Sequence, residues 1–130
     1  MAETAIREGR CLCGAVRYRV RGDPLWAVHC HCESCRRATS AAFATYAGFP
    51  RDRFEILAGE PGTYRSSPGV MRRFCRQCGS PITYEGERWP TETHIFVCSL
   101  DDPTTLLPTA HVHTDEQLPW LHLGDGLARK

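Results

Sequence analysis

The stretch FCRQCGSPITYE, Phe74 to Glu85, sets a C-x-x-C pair directly ahead of a strand-like run. Gly79 follows the pair and can take the positive φ that a tight knuckle needs. Two thiols cannot close a metal tetrahedron, because structural zinc sites take four Cys or mixed Cys/His ligands. Cys75 and Cys78 therefore need partners from elsewhere in the chain. The stretch CLCG, Cys11 to Gly14, supplies a C-x-C pair, and on a strand two such sulfurs share one face. Together the pairs make one four-cysteine site that ties the first strand to a hairpin more than sixty residues later. Such a clip restricts the unfolded chain and adds metal-binding free energy to folding.

The remaining cluster is HCHCESCRR, His29 to Arg37. Its thiols, Cys30, Cys32 and Cys35, can reach one ion and leave one vertex unfilled by a nearby cysteine. Three protein ligands plus an exchangeable position is the pattern of catalytic zinc. Candidates for the fourth position are water, Cys98 or a histidine. Cys98 lies in IFVCSL, which reads as a buried strand where a free cysteine acts as a small hydrophobe. His29 and His31 alternate with Cys30 and Cys32, so on an extended segment they face away from the sulfurs and serve packing or hydrogen bonding. His111 and His113 read as partly exposed residues of a late strand that could line a cavity.

A length of 130 residues fits one domain, with a core from about residue 9 to 122. Apolar residues make up 42% and charged residues 24%, a globular balance. A formal net charge of +1 shows no bias toward nucleic acid or an anionic membrane. The stretch MAETAIREGR has no apolar leader core, and no apolar run approaches the ~20 residues needed to span a bilayer. These features predict a cytoplasmic protein in a reducing compartment. There, eight cysteines are expected to hold metal rather than disulfides.

The N-terminal ten residues read as a polar tail. After them, short apolar runs rich in Val, Ile, Tyr and Phe are broken by Gly and Pro, the punctuation of a mainly β protein. Strands are expected around Cys11 to Gly22, LWAVHCH, AAFATYAGF, FEILAG, GTYRSS, GVMRRFC, PITYE, THIFVCSL and AHVHT. ESCRRATS reads as a knuckle with one helical turn, and DDPTTLL as a turn or a single helical turn.

The series CLCGAVRY, HCHCESCRR, RRFCRQCGSPI, VCSLDDP and HVHTDEQLPW resembles the glutathione-dependent formaldehyde-activating enzyme family, which shares a domain with centromere protein V. The likeness runs from about Cys11 to Trp120. It implies a Mss4-like fold of several coiled β-sheets tied by zinc. It also implies two Zn2+ ions, one structural on Cys11, Cys13, Cys75 and Cys78 and one catalytic on Cys30, Cys32 and Cys35. The implied reaction joins a small thiol such as glutathione to a small aldehyde, formaldehyde, giving S-(hydroxymethyl)glutathione in the manner of a carbon-sulfur lyase.

The chemistry of the open site agrees with a thiol substrate. Three thiolates on zinc leave a formal charge of about −1, which weakens the ion as a Lewis acid and disfavours ordinary zinc hydrolysis. Coordination instead favours the thiolate form of an incoming thiol, and the thiolate is the nucleophile. Arg36 and Arg37 either bind a substrate carboxylate or simply balance the anionic centre. Arg72 and Arg73 are read as charge balance for the four-cysteine site. Trp26, Phe43, Tyr46, Phe74 and Trp120 are read as packing residues. Two alternatives stand beside the enzyme: a non-catalytic zinc module that contacts a partner protein, and a four-thiolate iron site for electron transfer.

Overall fold

A computed structural model describes residues 5–130. It is mainly β, with two sheets. The smaller sheet has the order β1 (Ile6–Arg10), β2 (Arg17–Arg21) and β5 (Phe54–Ala58), all antiparallel. The larger sheet also draws on β3 (Trp26–Cys30), β4 (Ala44–Pro50), β6 (Gly62–Ser67), β7 (Val70–Phe74), β8 (Pro81–Gly86), β9 (Glu92–Phe96), β10 (Ala110–Val112) and β11 (Ala128–Arg129). Its eight strands run in the order β11-β10-β3-β4-β9-β8-β7-β6. Only the pairings of β10 with β3 and β11 are parallel.

Of the expected polar tail, Ile6–Arg10 is in fact β1, and residues 1–4 lie outside the described residues. IREGR is charge-rich because it lies in a small sheet whose outer side is wet: Glu8 pairs with Arg17 at 3.3 Å and Arg19 at 2.9 Å. Inward from that sheet, Val16, Tyr18 and Val20 pack with Ala47, Phe49, Ile82 and Ile95 of the larger sheet in the main core. Burying a side chain the size of Phe49 stabilises by roughly 1.5–3 kcal/mol.

Period-two alternation gives the larger sheet a second, different face. Cys30 pairs with Ala44, Tyr46 with Phe96, Tyr84 with His94, and Arg72 with Tyr84. These positions lie on the side opposite Ala47, Phe49 and Ile95, because alternate residues of a strand point to opposite faces. Cys30, Cys35, Ala44, Tyr46 and Phe96 form a separate apolar cluster there, flanked by Trp26, Cys32, Tyr84 and Val112. Gly48 admits the Trp26 indole, since a Cβ at that position would stand 2.5 Å from the ring.

Two further expectations need correction. Cys98 is not in a buried strand. β9 ends at Phe96, and the chain turns through a 3-10 helix (Val97–Ser99) that leaves Cys98 exposed. His111 is buried rather than partly exposed, because β10 sits between β3 and β11 instead of at an open edge. Among the described residues, no helix is long and apolar enough to cross a membrane.

Candidate metal centres

The sulfurs of Cys11, Cys13, Cys75 and Cys78 converge within 4.8 Å of one another. Cys11 and Cys13 sit in the turn between β1 and β2, not on a strand as expected. The turn closes through bonds from Cys11 N to Val16 O and from Gly14 N to Cys11 O, both 3.1 Å. The second pair caps the β7–β8 hairpin, where Gly79 takes φ +79° and donates its N–H to Cys75 O at 2.9 Å. Backbone N–H groups already point at the sulfurs: Val16 donates to Cys11 at 3.3 Å, and Gln77 and Cys78 donate to Cys75 at 3.4 Å. The Ser80 hydroxyl, 3.1 Å from Cys78 Sγ, is the first of several donors that draw the Cys78 thiol down to about 5.

A tetrahedral ion with bonds of about 2.3 Å to sulfur has ligands about 3.8 Å apart. The Cys11–Cys13 and Cys13–Cys75 separations are both 3.7 Å. The donor set therefore fits a four-coordinate metal with little adjustment.

Cys30, Cys32 and Cys35 form the second sulfur group. Cys30 ends β3. Cys32 is the N-cap of α1 (Glu33–Thr39), and its sulfur accepts the Cys35 N–H at 3.3 Å. The helix is longer than the expected single turn and ends where Ser40 adopts a left-handed conformation at φ 53°. One turn of helix thus presents Cys35 to Cys32, while β3 delivers Cys30 from below. The sulfur separations are 3.6 Å for Cys30–Cys32, 3.1 Å for Cys32–Cys35 and 2.9 Å for Cys35–Cys30. The first already matches a tetrahedral edge, and the other two reach it if Cys35 withdraws by less than an ångström.

Electrostatics favours a cation at this place. Hydrogen bonding with Cys30 and Cys35 holds Cys32 far below an ordinary thiol, while Cys30 and Cys32 push Cys35 far above it. Three thiolates together in an apolar cluster need a counter-charge. Cys98 belongs to neither sulfur group among the described residues.

The histidines divide as the alternation implies. His31 is fully buried; its Nε2 meets His111 Nδ1 at 2.9 Å, and His111 Nε2 meets Asp125 Oδ2 at 2.8 Å. His29 bonds Thr45 Oγ1 at 2.8 Å and stacks on His111 with centroids 4.7 Å apart and planes 27° apart. His29, His111 and Asp125 do bring ligand atoms together. Near-parallel stacked rings, however, cannot aim their in-plane lone pairs at one ion, so the group is a hydrogen-bonded brace. His113 is exposed and takes a left-handed conformation at φ 55°.

Arg37 lies on the solvent side of α1 and pairs with Glu33 at 2.8 Å, while Arg36 Nε reaches His31 O at 3.4 Å. Arg72 and Arg73 do not serve the four-cysteine group. Arg73 bonds Thr83 and Glu85, at 2.8 and 3.1 Å. Arg72, on the opposite face, stands over the Tyr84 ring at 4.9 Å. A cleft of about 500 Å³ opens beside Cys11 of the four-cysteine group and is lined by Arg10, Ser80, Cys98, Phe96 and Thr39.

Residues 6–116 match the family model of the glutathione-dependent formaldehyde-activating enzymes. The chain belongs to this family. A Halomonas elongata member, named "Putative glutathione-dependent formaldehyde-activating enzyme", is 29% identical over 128 residues, covering 91% of this chain and 81% of its own. An uncharacterized lyase of Schizosaccharomyces pombe is 31% identical over 78 residues, 59% of this chain and 56% of that protein. The crystal structure of a Rhodobacter sphaeroides protein shares the fold, with a TM-score of 0.63 and 26% identity over 75% of this chain and 93% of that one. Glutathione-dependent formaldehyde activation is thus the activity attached to this glutathione-dependent formaldehyde-activating family member at family level, and lyase chemistry agrees with it in broad terms.

Proposed function

We propose that this chain adds a small thiol, glutathione or one like it, to a small aldehyde such as formaldehyde, producing the hemithioacetal S-(hydroxymethyl)glutathione. In this reading Cys11, Cys13, Cys75 and Cys78 hold a structural zinc, and Cys30, Cys32 and Cys35 hold a catalytic one. The single observation that carries it is the inequality of the two sulfur groups: four thiols meet at one, three at the other, and Cys98 joins neither. A zinc ion at the three-cysteine group would supply the charge that keeps an incoming thiol as its thiolate near neutral pH.

The protein's own side chains supply the setting. Trp26, Tyr46, Tyr84 and Phe96 wall the triad with apolar surface, which limits water around the reacting aldehyde and strengthens polar contacts there. The α1 cap and the end of β3 fix the thiols, so thiol and aldehyde meet in a prepared geometry and part of the barrier is removed as entropy. Arg36 and Arg37 remain the proposed contacts for a substrate carboxylate at the mouth of α1; for Arg37 this requires exchange of its surface pair with Glu33, a weak contact.

The test is exchange NMR of glutathione and formaldehyde at equilibrium with their adduct. Wild-type protein is expected to speed the exchange above the buffer rate, and Cys32→Ser to return it to that rate. Wild-type protein that leaves the buffer rate unchanged would favour the non-catalytic zinc module instead.

A further inference from the structure

Tyr46 occupies the middle of β4, is 6% exposed, and its Oη is buried with no hydrogen-bond partner among the described residues. A buried hydroxyl left unpaired costs free energy that a phenylalanine would not incur. Such an atom in a native site calls for a role. Its ring packs on Phe96, centroids 4.6 Å apart, and meets Tyr84 at 6.4 Å in an edge contact. That places it within the apolar cluster of Cys30 and Cys35.

Cys35 belongs to the same cluster, and Arg72 stands over the Tyr84 ring that Tyr46 meets. Arg72 reaches this place through the sheet register: it pairs with Tyr84 across β7 and β8, and its guanidinium lies over the Tyr84 ring. Its Nε donates to Ser66 Oγ at 2.9 Å. Among the described residues no carboxylate pairs with it. A cation without an anionic partner and a hydroxyl without an acceptor therefore flank the same Tyr84 ring beside the sulfur group proposed to be open.

We infer that Tyr46 Oη, supported by the Arg72 guanidinium, is the hydrogen-bond donor that receives the aldehyde oxygen. The inference rests on the thiol–aldehyde reading above and adds the missing oxygen site to it. The substrate thiol loses its proton to solvent, and its sulfur lone pair forms the C–S bond to the carbonyl carbon. The C=O π pair moves onto oxygen, which accepts the Tyr46 O–H bond and takes a proton from water. Nothing is oxidised or reduced, and the sum is thiol plus aldehyde giving hemithioacetal. Tyr46 Oη lies buried within the apolar cluster of Cys30 and Cys35. Donors aimed at a developing oxyanion act most strongly in such water-poor surroundings.

The experiment uses the zinc-loaded full chain with 13C at tyrosine Cζ, four signals in all, and Tyr46→Phe to assign one of them. The Tyr46 signal is expected to stay in place with glutathione alone and to shift when formaldehyde is added. In parallel, Tyr46→Phe is expected to keep the wild-type glutathione Kd by calorimetry and to lose about 100-fold in kcat/KM for formaldehyde. A Tyr46 signal that ignores formaldehyde, or that moves with glutathione alone, overturns the inference. So does a Tyr46→Phe enzyme as fast as wild type; in these cases wild-type catalysis leaves the underlying reading standing. Wild-type protein that neither binds glutathione nor speeds adduct formation removes both. If Tyr46→Phe melts early, Arg72→Gln decides: a smaller formaldehyde-dependent Tyr46 shift and a lower kcat/KM support the inference, and wild-type values for both overturn it.

Discussion

His31 Nε2 and His111 Nδ1, eighty residues apart in sequence, meet at 2.9 Å in the protein interior. The bond fastens the residue between Cys30 and Cys32 to β10, and the His31 N–H adds a second tie to Val112 O at 3.1 Å. His111→Phe would keep most of the volume but leave His31 Nε2 without a partner. An unsatisfied buried group costs about 1–3 kcal/mol. The melting temperature should fall by several degrees, with the secondary structure retained in circular dichroism. A variant that melts with wild type would show that the bond does not brace the segment.

Removing one thiol from each sulfur group should have unequal consequences. Structural zinc contributes on the order of 10–16 kcal/mol in small zinc domains, as much as a whole domain's typical stability of about 5–15 kcal/mol. Cys78→Ser should therefore unfold or aggregate, whereas Cys32→Ser should lose one metal, keep most of the fold and lose thiol binding. Metal analysis and thermal melts check both. Equal collapse of the two variants would contradict an open second site.

His94 supplies a pH dependence away from the sulfurs. Burial, the leading influence, holds it below its ordinary 6.5, against the opposing pull of the Glu92 carboxylate 2.9 Å away. A histidine depressed on folding binds fewer protons in the folded than in the unfolded chain. Its share of stability is complete above about 6.5 and is lost as pH falls from there through the lower folded value. Its ring resonances should titrate with a midpoint below 6.5. A midpoint at that value would abolish the contribution, and one above it would reverse the sign.

Gly48→Ala probes the aromatic wall of the triad. The new Cβ would stand 2.5 Å from the Trp26 ring, so the indole must swing away and give up its 3.1 Å bond to Glu92. Overpacking of this kind costs about 1–3 kcal/mol. Tryptophan emission should shift to the red and the melt should fall. Unchanged emission would mean that the ring has room to adjust in place.

The convergence of seven cysteines into two groups was legible because short spacings and tetrahedral counting leave few partitions. The mainly β class was legible from apolar runs punctuated by Gly and Pro. Charge hid β1, since IREGR belongs to a sheet with a solvated outer side and its only fully buried residue is Gly9. Cys98 was misread because IFVCSL has a strand's composition, and only the turn after Phe96 shows that the strand has ended. Tyr46 was read as packing and Arg72 as charge balance for the four-cysteine group, and nothing in the sequence linked the two. They lie far apart in sequence, and the register through β9 and β8 is what brings them to one face.

The central claim is one closed sulfur site and one open to a thiol, and cadmium NMR of the cadmium-substituted protein tests it most directly. Two resonances are expected, and glutathione should move only one of them. Two sulfur-rich resonances that glutathione and other small thiols leave in place would contradict the claim and show both sites to be closed.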